Sequence, residues 1–245
     1  MKTIILAGGK GTRISEYTKT IPKPMIRINK KPILIHIMEH YLKFGFKDFY
    51  LALGYKKEII INFFKNFKKL NKPFVYFLKG NKVSITLVDT GKNTLTGGRI
   101  KRMKKFINLN EDFMFTYGDG VSNINLRKLL LFHKRNKKMI TVTAVRPPAR
   151  FGEITILKNR VKTFKEKPQV QSGWINGGFF VANYNFFKLI KNDRTILEKE
   201  PLEKATLKKQ LFAFKHHGFW KCMDTNRDKE VLEKIFKKKS FEKKK

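Results

Sequence analysis

Lys2-Thr3-Ile4-Ile5-Leu6-Ala7-Gly8-Gly9-Lys10-Gly11-Thr12-Arg13 is the stretch that decides how this chain reads. Its first six residues make an apolar run of the length of a buried strand, and the run ends in three glycines within four positions. A ligand loop at the carboxyl end of a sheet strand has this form. Glycines let the backbone turn tightly and bring N–H groups against a phosphate or a base edge, while Lys10, Thr12 and Arg13 add donors and positive charge. The stretch suits a polyphosphate. It lacks the Gly-Lys-Ser/Thr ending of a Walker loop and the glycine spacing of a dinucleotide fingerprint, and a glycine-rich turn without a ligand has the same composition.

Working outward, apolar runs alternate with amphipathic stretches. Strands are predicted at 2–7, 46–53, 74–78, 85–88, 113–116 and 139–145, with helices at 32–44, 59–67, 98–106 and 126–135 between them. Such alternation argues for an α/β fold, a mostly parallel sheet with helices on both faces. After Pro147-Pro148 the texture changes to short strands at 154–157, 161–164 and 175–182, helices at 186–190 and 202–208, a strand at 211–215 and a last helix at 228–236. This half reads as antiparallel and mixed. Without a linker or an internal repeat, residues 1–236 are expected to form one domain whose C-terminal part folds back over the sheet, and residues 237–245 a frayed Lys-rich tail.

Composition sets limits on function. The 245 residues contain enough apolar side chains, 41%, for a full core, which rules out disorder as the main state. One cysteine, Cys222, makes neither an internal disulfide nor a cysteine-based zinc site. The N-terminal apolar run is too short for a signal segment and no later run reaches the length of a spanning helix, so the chain is expected to be soluble and cytoplasmic. A formal net charge of +36 raises the possibility of a nucleic-acid or anionic-surface binder. Against it, 44 of the 55 basic residues are lysines scattered along the chain beside many Ile, Phe and Asn, a group sharing A/T-rich codons. A nucleic-acid face would cluster Arg and Lys with aromatics between them. Compositional drift on a solvated surface is the favoured reading, with no specific nucleic acid and no membrane as partner.

Ten residues past the glycine loop, Pro22-Lys23-Pro24-Met25 stiffens the backbone around one lysine, as a chain would to aim a charge at a fixed point. Together with 6–13, this element resembles the signature of the sugar-1-phosphate nucleotidyltransferases, or nucleotide-sugar pyrophosphorylases. Leu87-Val88-Asp89-Thr90-Gly91, Thr96-Gly97-Gly98-Arg99, Thr116-Tyr117-Gly118-Asp119-Gly120, Arg150-Phe151-Gly152, Glu166-Lys167-Pro168, Trp174-Ile175-Asn176-Gly177-Gly178-Phe179-Phe180 and Met223-Asp224-Thr225 resemble, in order and spacing, the branch of that family that joins CTP to glucose 1-phosphate. The match spans residues 1–236. Between Phe77 and Thr86 the chain is several residues shorter than is usual in the family.

The resemblance implies a Rossmann-like, mostly parallel mixed sheet of the nucleotide-diphospho-sugar transferase type, and attack by a sugar-1-phosphate oxygen on the α-phosphorus of a nucleoside triphosphate with pyrophosphate leaving. No protein nucleophile is needed, and no Ser/His/Asp or Cys/His set is evident. It further implies nucleotide contacts from Leu6, Ala7, Gly8, Gly9, Lys10, Gly11, Thr12, Arg13 and Gly118, with Arg13 on the triphosphate and Lys23 at the α-phosphate. Asp119 and Asp224 would hold Mg²⁺, which takes one or two protein carboxylates beside phosphate oxygens; each alone could be a turn former. Lys167 would hold the sugar phosphate, Glu166 and Asn176 the sugar hydroxyls, and Gly177 would admit the ring. Arg99 and Thr94 would donate to cytosine, although Gly98-Arg99-Ile100-Lys101-Arg102 reads equally as the basic start of a surface helix. His133, His216 and His217 lack metal-like spacing and read as surface or packing residues. A homo-oligomer is implied as well.

Overall fold

A computed structural model of the chain describes residues 1–65, 67–146, 153–165 and 173–237. The opening apolar run forms β1 (Lys2–Ala7), and its side chains alternate between two cores: Ile5 and Ala7 enter one, Ile4 and Leu6 the other. A strand apolar on both faces belongs in the middle of a covered sheet. The chain continues through the short helix α1 (Ser15–Thr18) and the small hairpin β2 (Arg27–Ile28) and β3 (Lys31–Pro32). It then alternates: α2 (Ile33–Lys43), β4 (Asp48–Leu53), α3 (Lys57–Phe63), β5 (Pro73–Leu78), β6 (Asn81–Asp89), α4 (Thr96–Arg102) and β7 (Phe113–Tyr117). β8 (Gly120–Ser122), α5 (Leu126–Asn136) and β9 (Ile140–Val145) follow, then a separate hairpin of β10 (Glu153–Leu157) and β11 (Arg160–Lys165). β12 (Ile175–Ala182), α6 (Glu200–Leu207), β13 (Leu211–His216), β14 (Trp220–Cys222) and α7 (Asn226–Lys237) close the described chain.

Eight strands share one sheet in the order β13-β9-β12-β7-β1-β4-β6-β5. β1 is parallel to β4 and β7, β4 to β6, and β9 to β13. β12 runs antiparallel between β7 and β9, and β5 antiparallel at the edge. This is the mostly parallel mixed α/β sheet that the alternation predicts. Residues of α2, α3, α5 and α7 fill the core on one face, with Ile37, Ile60, Leu129 and Leu232 among them. Ile100 of α4 and Leu202 and Ala205 of α6 fill the other.

Three expectations change in detail. The C-terminal half lies only partly over the sheet: α6 and α7 cover its faces, but β12 enters it, because Phe179 and Val181 face one core and Phe180 and Ala182 the other. The helix expected at 98–106 is α4 followed by a 3-10 turn, Lys104–Phe106, and the one expected at 186–190 is a 3-10 helix, Tyr184–Leu189. In the shortened segment, Lys79 and Gly80 both have positive φ, 47° and 74°, and join β5 to β6 directly. Two left-handed residues match the twist of a hairpin, so the shorter loop is a two-residue turn. The motifs Arg150-Phe151-Gly152 and Glu166-Lys167-Pro168, and residues 238–245 of the tail, lie outside the described residues. Among the described residues, no helix is long and apolar enough to cross a membrane.

Candidate active site

The glycine loop leaves the carboxyl end of β1 at the centre of the sheet. Gly11 is left-handed, φ 66°, and opens the 3-10 turn Thr12–Ile14, which buries Ile14 and leaves Arg13 exposed. Gly8 has a different reason to be glycine: a Cβ there would lie 2.3 Å from Arg99 Nη1 and 2.8 Å from Gly54 N. Close approach, not a turn, is what the position needs.

Arg99 explains that crowding. Only 3% exposed, it projects from α4 beneath the loop, where Nη2 donates to Gly8 O (2.8 Å) and Nη1 donates to Leu53 O (3.0 Å), Gly91 O (2.8 Å) and Thr90 Oγ1 (2.6 Å). Burial, with the like charge of Arg102, brings its guanidinium down to about 10, so it stays charged at neutral pH. One side chain thus ties together the ends of β1, β4 and β6. The sequence suggested a base-reading donor or an exposed helical cation; the structure gives a buried strut, and any donor Arg99 offers a base is one it withdraws from a carbonyl or from Thr90. Thr94, also buried, packs under Gly91, whose Cβ would meet Thr94 Oγ1 at 2.8 Å.

Lys23 is buried in a 3-10 turn, Lys23–Met25, set by its two flanking prolines. Its Nζ donates to Asp119 Oδ2 at 2.6 Å and to Asp224 Oδ1 at 2.7 Å. Asp119 arrives on the turn after β7, where Gly118 lets the chain pass: a Cβ at Gly118 would lie 2.6 Å from Leu6 O and 2.9 Å from Pro24. Asp224 arrives by pairing of β14 with β8, which aligns Cys222 with Gly120, and by Met223 N donating to Asp119 O at 3.0 Å. Just beyond, Asp228 Oδ2 accepts from Thr225 N (3.0 Å) while Thr225 Oγ1 accepts from Asp228 N (3.2 Å). This reciprocal capping box starts α7 and holds Asp224, whose own N–H also donates to Asp228 (3.1 Å).

Arg13 Nη1 donates to the other oxygen of Asp224, Oδ2, at 2.7 Å. Burial disfavours the Asp224 charge, but the hydrogen bond and charge of Lys23, with the charge of Arg13, outweigh it and hold the carboxyl below its usual range. Burial likewise works against the Lys23 ammonium, and the two carboxylates raise it nonetheless. Two carboxylate oxygens therefore address one cation, here an ammonium. This donor set of hard anionic oxygens fits a divalent ion such as Mg²⁺ that completes its shell from substrate phosphates and water. Among the described residues there is no cluster of three or more candidate ligands, so no all-protein cage competes with this pair.

On the other side of β7, Asn176 Oδ1 accepts from Gly178 N at 2.8 Å and Asn176 Nδ2 donates to Tyr117 Oη at 3.3 Å. Gly177 O accepts from Trp220 Nε1 at 2.7 Å. Gly8 to Arg13, Lys23, Gly118, Asp119 and Asp224 are thus gathered at the carboxyl ends of β1 and β7, with Asn176 and Gly177 on the neighbouring β12. Glu166 and Lys167 lie outside the described residues. The histidines read as packing groups include His133, 2% exposed, with Nδ1 2.9 Å from Thr141 Oγ1. Sequence reasoning passed over Tyr117, Glu198 and Asp228. The Thr225-x-x-Asp228 spacing is a capping signal that could have found the last; Glu198 stands in no motif.

The Nucleotidyl transferase family profile matches residues 2–224. Glucose-1-phosphate cytidylyltransferase of Salmonella typhimurium is 44% identical to the chain, covering 97% of it and 96% of the relative. Mannose-1-phosphate guanylyltransferase 1 of Arabidopsis thaliana is 31% identical over 93% of the chain and 62% of the plant protein. Among solved structures, UDP-glucose pyrophosphorylase complexed with UDP-glucose superposes with a TM-score of 0.72 at 19% identity, covering 97% of this chain and 98% of that one, a likeness of fold. By profile, by identity along nearly its whole length and by fold, the chain belongs to the nucleotidyl transferase family.

Proposed function

We propose that the protein makes CDP-glucose and pyrophosphate from CTP and α-D-glucose 1-phosphate. The observation that carries this reading is the 44% identity, along 97% of the chain, to a glucose-1-phosphate cytidylyltransferase, set beside 31% to a guanylyltransferase for mannose 1-phosphate. The family generally uses a divalent metal ion; here the ion is read as Mg²⁺, held by Asp119 and Asp224, where it supplies charge neutralisation at the phosphates.

The rest of the chemistry falls to positioning and charge. The backbone from Leu6 to Gly11, with Lys10, Thr12 and Gly118, lines the nucleotide side, and Arg13 neutralises the triphosphate from an exposed position beside Asp224. Lys23 is aimed by Pro22 and Pro24 at the α-phosphate. An oxygen of the sugar phosphate attacks the α-phosphorus, a P–O bond forms, the bond to the β-phosphate breaks, and pyrophosphate leaves in line. Asn176 and Glu166 bind sugar hydroxyls, Lys167 the sugar phosphate, Gly177 the ring face and Thr94 the cytosine side, while Arg99 braces the nucleotide loop from beneath. A homo-oligomer is the proposed assembly, supported by exposed Val75 and Phe77 on the edge strand β5; sizing in solution checks it. The deciding experiment is turnover with glucose 1-phosphate and CTP, UTP, dTTP or GTP, read as released pyrophosphate. Preference for another nucleotide overturns the cytidylyl assignment.

A further inference from the structure

Tyr117, the last residue of β7, stands with its ring edge-on to Phe180 (5.9 Å between centroids) and its hydroxyl between the start of β12 and the segment leading into α6. That hydroxyl donates to Glu198 Oε1 at 2.5 Å and accepts from Asn176 Nδ2 at 3.3 Å. Glu198 is exposed, and its other oxygen accepts from Thr96 Oγ1 at 2.8 Å, the first residue of α4. The segment is well seated there: Gly97 N donates to Thr195 O (3.0 Å), and a Cβ on Gly98 would lie 2.5 Å from Asp193 backbone. Glu198 therefore sits between the helix that carries Arg99 and the strand that carries Asn176.

The direction of every bond in this chain is fixed. An ionised carboxylate only accepts, so Tyr117 must give its proton to Glu198 and keeps its oxygen to accept from Asn176. The Asn176 amide cannot turn over, because its oxygen is already taken by Gly178 N–H. Its second Nδ2 hydrogen is left as a donor.

We propose that Glu198 is a positioning residue for the sugar end of the site, which through Tyr117 fixes Asn176 as a donor toward a sugar hydroxyl. This rests on the reading of Asn176 as a sugar contact. The hydroxyl beside Asn176 is consequently recognised as an acceptor. Replacing Glu198 by glutamine lets the amide present either its oxygen or its NH2 to Tyr117, so the phenol oxygen is no longer reserved for Asn176 and that donor loses its fixed direction.

The test is initial-rate kinetics of the full chain with Mg²⁺, varying CTP and glucose 1-phosphate separately, for Glu198→Gln, Tyr117→Phe, the double variant and Asn176→Ala, with melting temperatures alongside. Glu198→Gln and Tyr117→Phe should each raise KM for glucose 1-phosphate roughly tenfold, the effect of removing one aligned hydrogen bond, while KM for CTP and the melting temperature hold. The double variant should be no worse than either single one, because the two residues act as one unit. An unchanged sugar-phosphate KM in Glu198→Gln beside a raised one in Asn176→Ala overturns the inference and leaves the Asn176 reading standing. An unchanged value in Asn176→Ala overturns that reading and the inference with it. A rise in both KM values with a lowered melting temperature makes Glu198 a brace, and additive effects make it a direct sugar ligand; either overturns the positioning role.

Discussion

Lys23 Nζ lies 2.6 Å from Asp119 Oδ2, although 96 residues separate them in sequence. The same ammonium is held by Asp224, so the two proposed metal ligands and the proposed α-phosphate lysine converge on one point. Asp119→Asn or Asp224→Asn removes a hard anionic ligand and should cut turnover by about 10² or more, on the scale of a lost preorganised charge, while the chain stays folded. Near-normal pyrophosphate release by both variants at saturating Mg²⁺ would contradict the metal assignment.

Lys23→Ala should act on kcat more than on KM for CTP. Its charge is placed where negative charge builds in the transition state, and a loss of about 10² is the size seen for preorganised donors. If KM alone rises, Lys23 is a binding residue and nothing more. The variant also leaves Asp119 and Asp224 facing each other without their ammonium, so rates should be compared at a temperature where circular dichroism shows the fold intact.

These residues were legible because each stands in a local motif. The glycine loop, the Pro-flanked lysine and the Gly-flanked aspartate declare themselves within a few positions, and the sheet follows from runs apolar on both faces. What brings Asp224 to Asp119 was not legible: β14 and β8 are three residues each, paired across about a hundred residues, too short to carry a period. Arg99 misled for another reason. A basic residue among Lys101 and Arg102 has the pattern of a solvated helix start, and only the fold shows carbonyls of three strand ends turned toward it.

That placement gives Arg99 a signature independent of substrate. Lysine offers one compact charge where the site needs a fork reaching Gly8 O, Leu53 O and Gly91 O at once. Arg99→Lys should therefore destabilise the ligand-free protein by roughly 2 to 4 kcal/mol, through buried acceptors left unpaired. A melting temperature equal to wild type without CTP would show that Arg99 does not brace the loop. Gly8→Ala approaches the same contact from the other side. Its Cβ, 2.3 Å from Arg99 Nη1, should cost about 1 to 3 kcal/mol as an overpacked site does, and weaken CTP binding with it.

Acid should weaken the fold before it reaches the carboxylate range. His40 packs against Phe44 and Phe179 on the inner side of α2, and burial, the largest influence, pulls its ring down to about 4. A group lowered on folding contributes fully above its unfolded value, near 6.5, and loses that contribution as pH falls toward its folded value. Stability should decline between about pH 6.5 and 4, by at most about 3 kcal/mol from this residue. His40→Leu should flatten that limb in urea titrations; an unchanged slope assigns it to other groups.

The last prediction concerns charge, where the composition invites a wrong reading. Phe236 packs on His36, 4.4 Å between ring centroids, and α7 is described through Lys237, so a truncation that keeps residues 1–237 preserves the described helix and its contact with α2. Residues 238–245 carry five lysines and one glutamate and lie beyond every position assigned to catalysis. If the lysines are solvated drift, deleting 238–245 leaves kcat/KM within about threefold, because screening confines a tail charge to roughly 10 Å. Retention on heparin should weaken, and its salt slope should shallow by roughly 0.9 for each anionic group that the tail no longer neutralises. Lost turnover with unchanged heparin retention would instead place the tail at the substrate phosphates, where its lysines would serve the reaction rather than the surface.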